Sequence, residues 1–157
     1  MTISKFTFTF ICSCLMTLQT FANIHSDEPI TFEELPLSAQ TFIQDNFAHF
    51  TVTRASYNTQ TCERCYEVHL SDNTTLQFDE IGNWSAIERE DAEVPASMIA
   101  EEIKTFINEN YPGAAIHKIE KEVHQTKVVL SSKEELVFDA NYKIANLEDN
   151  ASGLTFE

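Results

Sequence analysis

One stretch of this chain occurs twice, which limits the chain to folds in which a small unit is used two times. Residues 99–113 read IAEEIKTFINENYPG, and 64 residues earlier residues 35–47 read LPLSAQTFIQDNF, so that Phe42-Ile43 answers Phe106-Ile107 and Phe47 answers Tyr111. The segment after each copy is duplicated as well. Residues 66–84 (YEVHLSDNTTLQFDEIGNW) align without a gap, 60 residues on, with residues 126–144 (TKVVLSSKEELVFDANYKI).

In the second copy Ile99, Ile103, Phe106, Ile107 and Tyr111 fall on one stripe of an α-helix. Glu101 and Glu102 lie in its first turn, where the helix dipole favours negative charge. Pro112-Gly113 ends it, because Pro has no N–H to donate and Gly permits a reversal. The first copy keeps the stripe as Leu35, Ala39, Phe42, Ile43 and Phe47, with Pro36 suited to the opening turn, but has no Pro-Gly stop.

After each helix the period changes to two. Tyr66, Val68 and Leu70 alternate with Glu67 and His69, Asp72-Asn73 turns the chain, and Leu76 and Phe78 alternate with Gln77 and Asp79, the pattern of a half-buried hairpin. Residues 79–83, with Gly82, turn into a further strand at 84–87. The second copy has Val128 and Leu130, a turn near Ser132-Lys133, Leu136 and Phe138, then Ile144 and Leu147. Strands at 51–57 and 116–123 precede the hairpins with imperfect alternation. The expected class is α+β: two tandem repeats of one helix and a four-stranded antiparallel sheet, with both helices on one face of an about eight-stranded sheet. The other face then lies open. Alternation assigns to it Glu67, His69 and Gln77 from the first copy and Lys127, Val129 and Val137 from the second. A single exposed valine is ordinary, but two on an otherwise polar face form a candidate contact patch.

The ends read differently. Residues 1–22 carry a single Lys5, an apolar run over 6–18 and Thr20-Phe21-Ala22, whose small residues suit cleavage before Asn23, so an export signal is expected. The run is short of the roughly 20 apolar residues that span a bilayer and contains Ser, Thr and Cys, which argues against a retained membrane helix. A lipid anchor through Cys14 is the alternative, because Ile11-Cys12-Ser13-Cys14 partly matches a lipoprotein signal. The expected organisation is a signal at 1–22, a polar flexible leader at 23–34, repeats at 35–90 and 91–149, and a loose tail at 150–157. The joint at 88–94 is charged and too short to let the halves separate, so they are expected to pack together.

Losing the signal, with its one charged residue, moves the formal net charge from −15 to −16. That balance repels phosphate backbones and anionic lipid, and argues against nucleic-acid or membrane-surface binding. It favours a basic partner or divalent cations, or serves only as a solvated acidic surface.

With its helix and turn FINENYPG, a hairpin ending in an aspartate before Gly-Asn-Trp, the Val94-Pro95 opening and HKIEKE after the second helix, the chain resembles the exported PepSY-like proteins also described as β-lactamase-inhibitor-like. The resemblance covers residues 35–149. It departs at Lys133-Glu134, where a Gly-containing turn is usual, and at Ala100, where the family often has Pro, which bears on whether a break separates a short opening helix from the main one. The resemblance implies two tandem helix-plus-sheet units with adjoining sheets, in exported proteins without assigned catalysis. The inhibitor-like name rests on likeness of fold, so no catalytic residue is carried over.

Cys62-Glu63-Arg64-Cys65 is the chemically pointed motif, in an insertion that lengthens the first copy's loop. A redox-active pair needs a lowered thiolate pKa, usually from a helix N-terminus, whereas this pair stands at a strand entrance. Haem attachment needs His after the second Cys, where Tyr66 stands, and zinc binding by way of His69 lacks a second pair of ligands nearby. A local disulfide is the expectation in an exported chain, with redox exchange and metal capture as alternatives. The histidines at 25, 49, 69, 117 and 124 have no ligand spacing, and no Gly-x-Ser-x-Gly elbow or phosphate loop exists among only three glycines. Acidic turns at Asp72-Asn73 and Asp79-Glu80 offer weak calcium ligands without the twelve-residue calcium-loop pattern. No cofactor, metal site or catalytic set is called for. The sequence points to a non-enzymatic exported module of the cell envelope that binds a protein or acts as an inhibitor. The rivals are a thiol-redox or metal-sensing protein using Cys62 and Cys65, and a structural envelope protein.

Overall fold

The computed structural model describes residues 27–58 and 66–145. The period-two segments form one antiparallel sheet of eight strands in sequence order: β1 (Asp27–Ile30), β2 (Val52–Asn58), β3 (Tyr66–Leu70), β4 (Thr74–Phe78), β5 (Trp84–Arg89), β6 (Ile116–Lys121), β7 (Gln125–Leu130) and β8 (Glu135–Asp139). Helix α1 (Leu37–Phe47) lies between β1 and β2, and α2 (Glu101–Asn110) between β5 and β6. The class is α+β. Among the described residues no helix is long and apolar enough to cross a membrane.

Both helices cover the same face. Ala55, Val68, Leu76, Ile87, Ile119, Val128 and Leu136 are paired one to the next across the strands, and Ile30 extends the row onto β1. The seven are buried in a single cluster with Ala39, Ile43 and Phe47 of α1 and Ile103 and Ile107 of α2. Each fully buried Val, Leu or Ile contributes about 1.5–3 kcal/mol of transfer free energy, so this continuous row holds helices to sheet far more firmly than helix propensity does. Residues 94–99 join the same core through Val94 and Ile99, which leaves the two halves no room to separate.

The strand count matches the expectation, but its distribution does not. The eighth strand comes from the segment read as a flexible leader: Asp27–Ile30 pairs with residues 55–58. Pro29 is tolerated there because an edge strand needs only one row of ladder donors. After β8, where a fourth strand is expected, the chain makes an isolated bridge from Ile144 to Phe138, and Leu147 lies outside the described residues. The main second helix also begins later than its apolar stripe. A short 3-10 turn at Ala96–Met98 is followed by Ile99 in extended backbone (φ −109°, ψ 129°), and α2 starts at Glu101. The break between opening turn and helix is therefore present with Ala100 in place of Pro.

Three bulges interrupt the sheet, and the two in β2 and β6 explain the imperfect alternation of the strands after the helices. The register slips by one at Val52/Arg54 against β3, at Ile116/Lys118 against β7, and at Gln77/Phe78 against β5. Thr53, His117 and Ser85 are the extra residues, and each reverses the side-chain pattern of its strand at that point. The hairpin turns place Asn73 (φ 61°) and Lys133 (φ 72°) in the left-handed region. Asn tolerates that conformation, whereas Lys133 adopts it at a cost of about 1 kcal/mol.

Candidate binding face

The face turned away from the helices carries two rows of paired residues. One runs Pro29, Ser56, Glu67, Gln77, Ala86, Glu120, Lys127, Val137. The other runs Arg54, His69, Thr75, Glu88, Lys118, Val129, Glu135. All six residues that alternation assigns to the open face stand in these rows, half-buried and side by side with residues that the alternation did not supply. Lys118, Glu120 and Glu88 are hidden from a period-two reading by the bulge at His117 and by the register between the halves, which no local pattern sets.

At the first-half end the side chains are tied together. His69 Nε2 lies 2.9 Å from Glu67 Oε1, Thr75 Oγ1 lies 3.1 Å from His69 Nδ1, and the Gln77 amide donates to Glu67 Oε2 at 3.2 Å. With Nε2–H donating to Glu67, Nδ1 is the acceptor for the Thr75 hydroxyl, so one neutral tautomer satisfies both contacts. Toward the middle, Lys118 Nζ stands 3.0 Å from Glu88 and 3.9 Å from Glu120, and Lys127 Nζ stands 2.6 Å from Glu122. These pairs set positions more than they stabilise, since half-exposed ion pairs are worth about 0–1 kcal/mol.

The rows mix both signs: Arg54, Lys118 and Lys127 face Glu67, Glu88, Glu120 and Glu135. The face is thus nearly balanced in a chain whose net charge is −15. Ser56, Ala86 and Glu120 are buried although α1 and α2 both lie on the other face, at 1%, 3% and 8% exposure. Among the described residues, the Ser56 hydroxyl and the Gln77 carbonyl oxygen are buried without a hydrogen-bond partner. Unmet polar atoms of this kind are costly unless something else meets them. A hollow of about 440 Å³ opens on the second row between Thr75, Glu88, Lys118 and Val129, and His117, whose buried Nδ1 has no partner among the described residues, lines it.

The acidic turns are occupied by their own backbone. Asp79 Oδ1 accepts from the amides of Ile81 and Asn83 at 3.1 and 2.8 Å. Asp72 accepts from Thr74 and from the Arg89 guanidinium, at 2.9 Å. Burial alone would raise the Asp72 carboxyl, but Arg89 and the Thr74 hydroxyl and amide together hold it below the usual range. Among the described residues no three His, Cys, Asp or Glu side chains are gathered as metal ligands. Cys62 and Cys65 lie outside the described residues, as do Cys14 and the rest of residues 1–22, the segment expected to be an export signal.

A feature with no signal in the sequence joins the halves on the helix side. Lys121 of β6 places Nζ 3.3 Å from the ring centroid of Trp84 on β5, and Trp84 in turn stacks on Phe42 of α1 at 6.2 Å. Desolvation by this packing lowers the Lys121 pKa. No spacing signals such a pair, because it depends on β5 and β6 being neighbours.

The family described as "Putative beta-lactamase-inhibitor-like, PepSY-like" matches residues 64–146. Among solved structures, a "putative calcium-regulated periplasmic protein" from Bacteroides thetaiotaomicron is 30% identical with a TM-score of 0.73, covering 77% of this chain and 95% of its own. A "putative periplasmic protein" from Bacteroides vulgatus is 32% identical with a TM-score of 0.73, covering 78% and 97%. Another from the same organism, described as of unknown function, is 25% identical with a TM-score of 0.71, covering 76% and 99%. Among curated proteins there is no match. The exported, periplasmic placement read from the amino-terminal segment agrees with all three relatives. On the match of more than half its length and on these relatives, the chain belongs to the PepSY-like, β-lactamase-inhibitor-like family.

Proposed function

We propose that this protein is a non-enzymatic binding module of the periplasm that engages another protein through the uncovered sheet face. The observation that carries the reading is the face itself. Two rows of mixed charge and hydrogen-bonding side chains cross the sheet on the side away from α1 and α2, and among the described residues the buried Ser56 hydroxyl and Gln77 carbonyl oxygen there lack partners. Such a surface supplies orientation and specificity, while Val129 and Val137 supply apolar area to bury. The inhibitor-like family name fits a protein partner of this kind, such as an envelope enzyme.

We also read the chain as two copies of one helix-plus-sheet unit. The support is the recurrence of contacts at equivalent positions: Phe42 stands edge-on to Phe78 as Phe106 does to Phe138. Asn46 donates to the Phe42 carbonyl as Asn110 does to that of Phe106, at 2.9 and 2.8 Å. In the segment that links β2 to β3 in sequence, Cys62 and Cys65 are read as closing a small local disulfide.

The experiment pairs Val129→Lys with Val137→Glu in the mature chain. Loss of co-purification of the wild-type partner, with thermal unfolding nearly unchanged, supports the reading. Capture that survives both substitutions but fails in Cys62→Ser/Cys65→Ser moves function to the cysteines.

A further inference from the structure

The loops after β4 and β8 share one backbone but meet the helices differently. Asp79 N–H donates to the Asn83 carbonyl at 2.9 Å, and Asp139 N–H donates to that of Lys143 at 2.8 Å. Asp79 Oδ1 accepts from Asn83 N–H at 2.8 Å, and Asp139 Oδ1 from Lys143 N–H at 2.9 Å. Each loop then has one left-handed residue at the same place, Gly82 (φ 84°) and Tyr142 (φ 58°).

At Gly82 the helix closes onto the loop. Ser38 Oγ donates to the Ile81 carbonyl at 2.5 Å, and a Cβ on Gly82 would stand only 2.7 Å from Pro36 Cβ. At Tyr142 the same junction is open. The residue equivalent to Ser38 is Glu102, Tyr142 is 39% exposed, and a groove of about 560 Å³ separates it from α2. Phe106, Tyr142 and Ile144 give the groove its apolar lining, and Glu101, Glu102 and Glu109 its acidic rim. A tyrosine in left-handed backbone costs about 1–2 kcal/mol, so local preference opposes the residue that walls this groove.

We propose that the groove between α2 and the 139–143 loop binds a basic segment of a partner protein, with an Arg or Lys side chain lying over Phe106 and Tyr142 and its charge among the rim carboxylates. Aromatic faces attract such cations, and carboxylates bond them in forked geometry. Lys104 pairs with Glu101 at 2.6 Å and Lys143 lines the loop side. Among the described residues, Glu102 and Glu109 are left outside any ion pair. The chain's own tail is the wrong occupant: residues 146–157 contain Glu148, Asp149 and Glu157 and no basic residue. A second mature copy, with its formal net charge of −16, is repelled in the same way. The groove lies on the helix side, so the proposal goes beyond the sheet-face reading and stands or falls without it.

The test is an NMR titration of the full mature chain with a capped Leu-Arg-Leu-Arg-Leu peptide and its uncharged citrulline counterpart. The expected result is saturable shifts of amides in 101–109 and 139–144, with the citrulline peptide binding at least about tenfold more weakly. Glu102→Gln with Glu109→Gln should weaken the Arg peptide by a similar factor. Tyr142→Gly should do so too while leaving the unfolding temperature unchanged or higher, because Gly suits the left-handed position. Equal binding of both peptides, shifts confined to the open sheet face, undiminished binding by Tyr142→Gly, or binding only after removal of residues 146–157 would each overturn the proposal.

Discussion

Phe106 of α2 stands edge-on to Phe138 of β8, with ring centroids 5.5 Å apart and ring planes at 88°. The two rings differ in burial: Phe138 is fully buried, while Phe106 is half-exposed at the edge of the core. The helix stripe points to Phe106 as a central anchor, but the structure gives that place to its partner. Phe138→Ala is expected to cost about 3–5 kcal/mol and Phe106→Ala about 2–3 kcal/mol, because the exposed edge of Phe106 leaves less cavity behind. Chemical denaturation measures both, and the reverse order would mean that the core is centred elsewhere.

The Arg89 guanidinium ties the β3–β4 turn to the joint between the halves. It donates to Asp72 Oδ2 at 2.9 Å, to Thr74 Oγ1 at 3.1 Å and to the Glu93 carbonyl at 2.8 Å. Both side chains of the Arg89–Asp72 pair are largely buried, so Arg89→Leu strands a carboxylate and is expected to cost about 2–3 kcal/mol. Because the folded state depresses the Asp72 pKa, its contribution is present above the ordinary aspartate value of 3.8 and is lost as pH falls through the lower folded value. Asp139 is shifted the same way by the amides of Lys143 and Asn141. Denaturant midpoints should therefore fall below the ordinary carboxylate range, and Asp72→Asn should flatten that fall while lowering stability at neutral pH. An acid limb unchanged by Asp72→Asn would show that the clamp does not form.

Gly82→Ala tests how tightly α1 seals its loop. Left-handed backbone costs about 1–2 kcal/mol for a residue with a Cβ, and contact with Pro36 and Ser38 adds to it. A total loss above about 2 kcal/mol is expected. A loss under about 1 kcal/mol would mean that the helix yields and the first junction opens as the second does.

The helix stripes and hairpin alternation were legible because each element keeps one period over its length, and they placed Glu67, His69, Gln77, Lys127, Val129 and Val137 on one face. What escaped depends on pairing between distant segments. β1 becomes a strand only because β2 offers it an edge. Lys118 and Glu120 reach the open face only because a bulge at His117 resets their strand. The contact of Lys121 with Trp84 needs β5 beside β6, which no local pattern states.

The central claim is that the uncovered sheet face binds a protein, and site-specific photo-crosslinking in the periplasm tests it most directly. A photoreactive residue at Val129 is compared with one at Leu37, which is 77% exposed on the helix side. The prediction is a discrete protein adduct from position 129, absent from position 37 and lost on adding Val137→Glu. Adducts from position 37 alone, or none from position 129 while the protein is folded and exported, would contradict it.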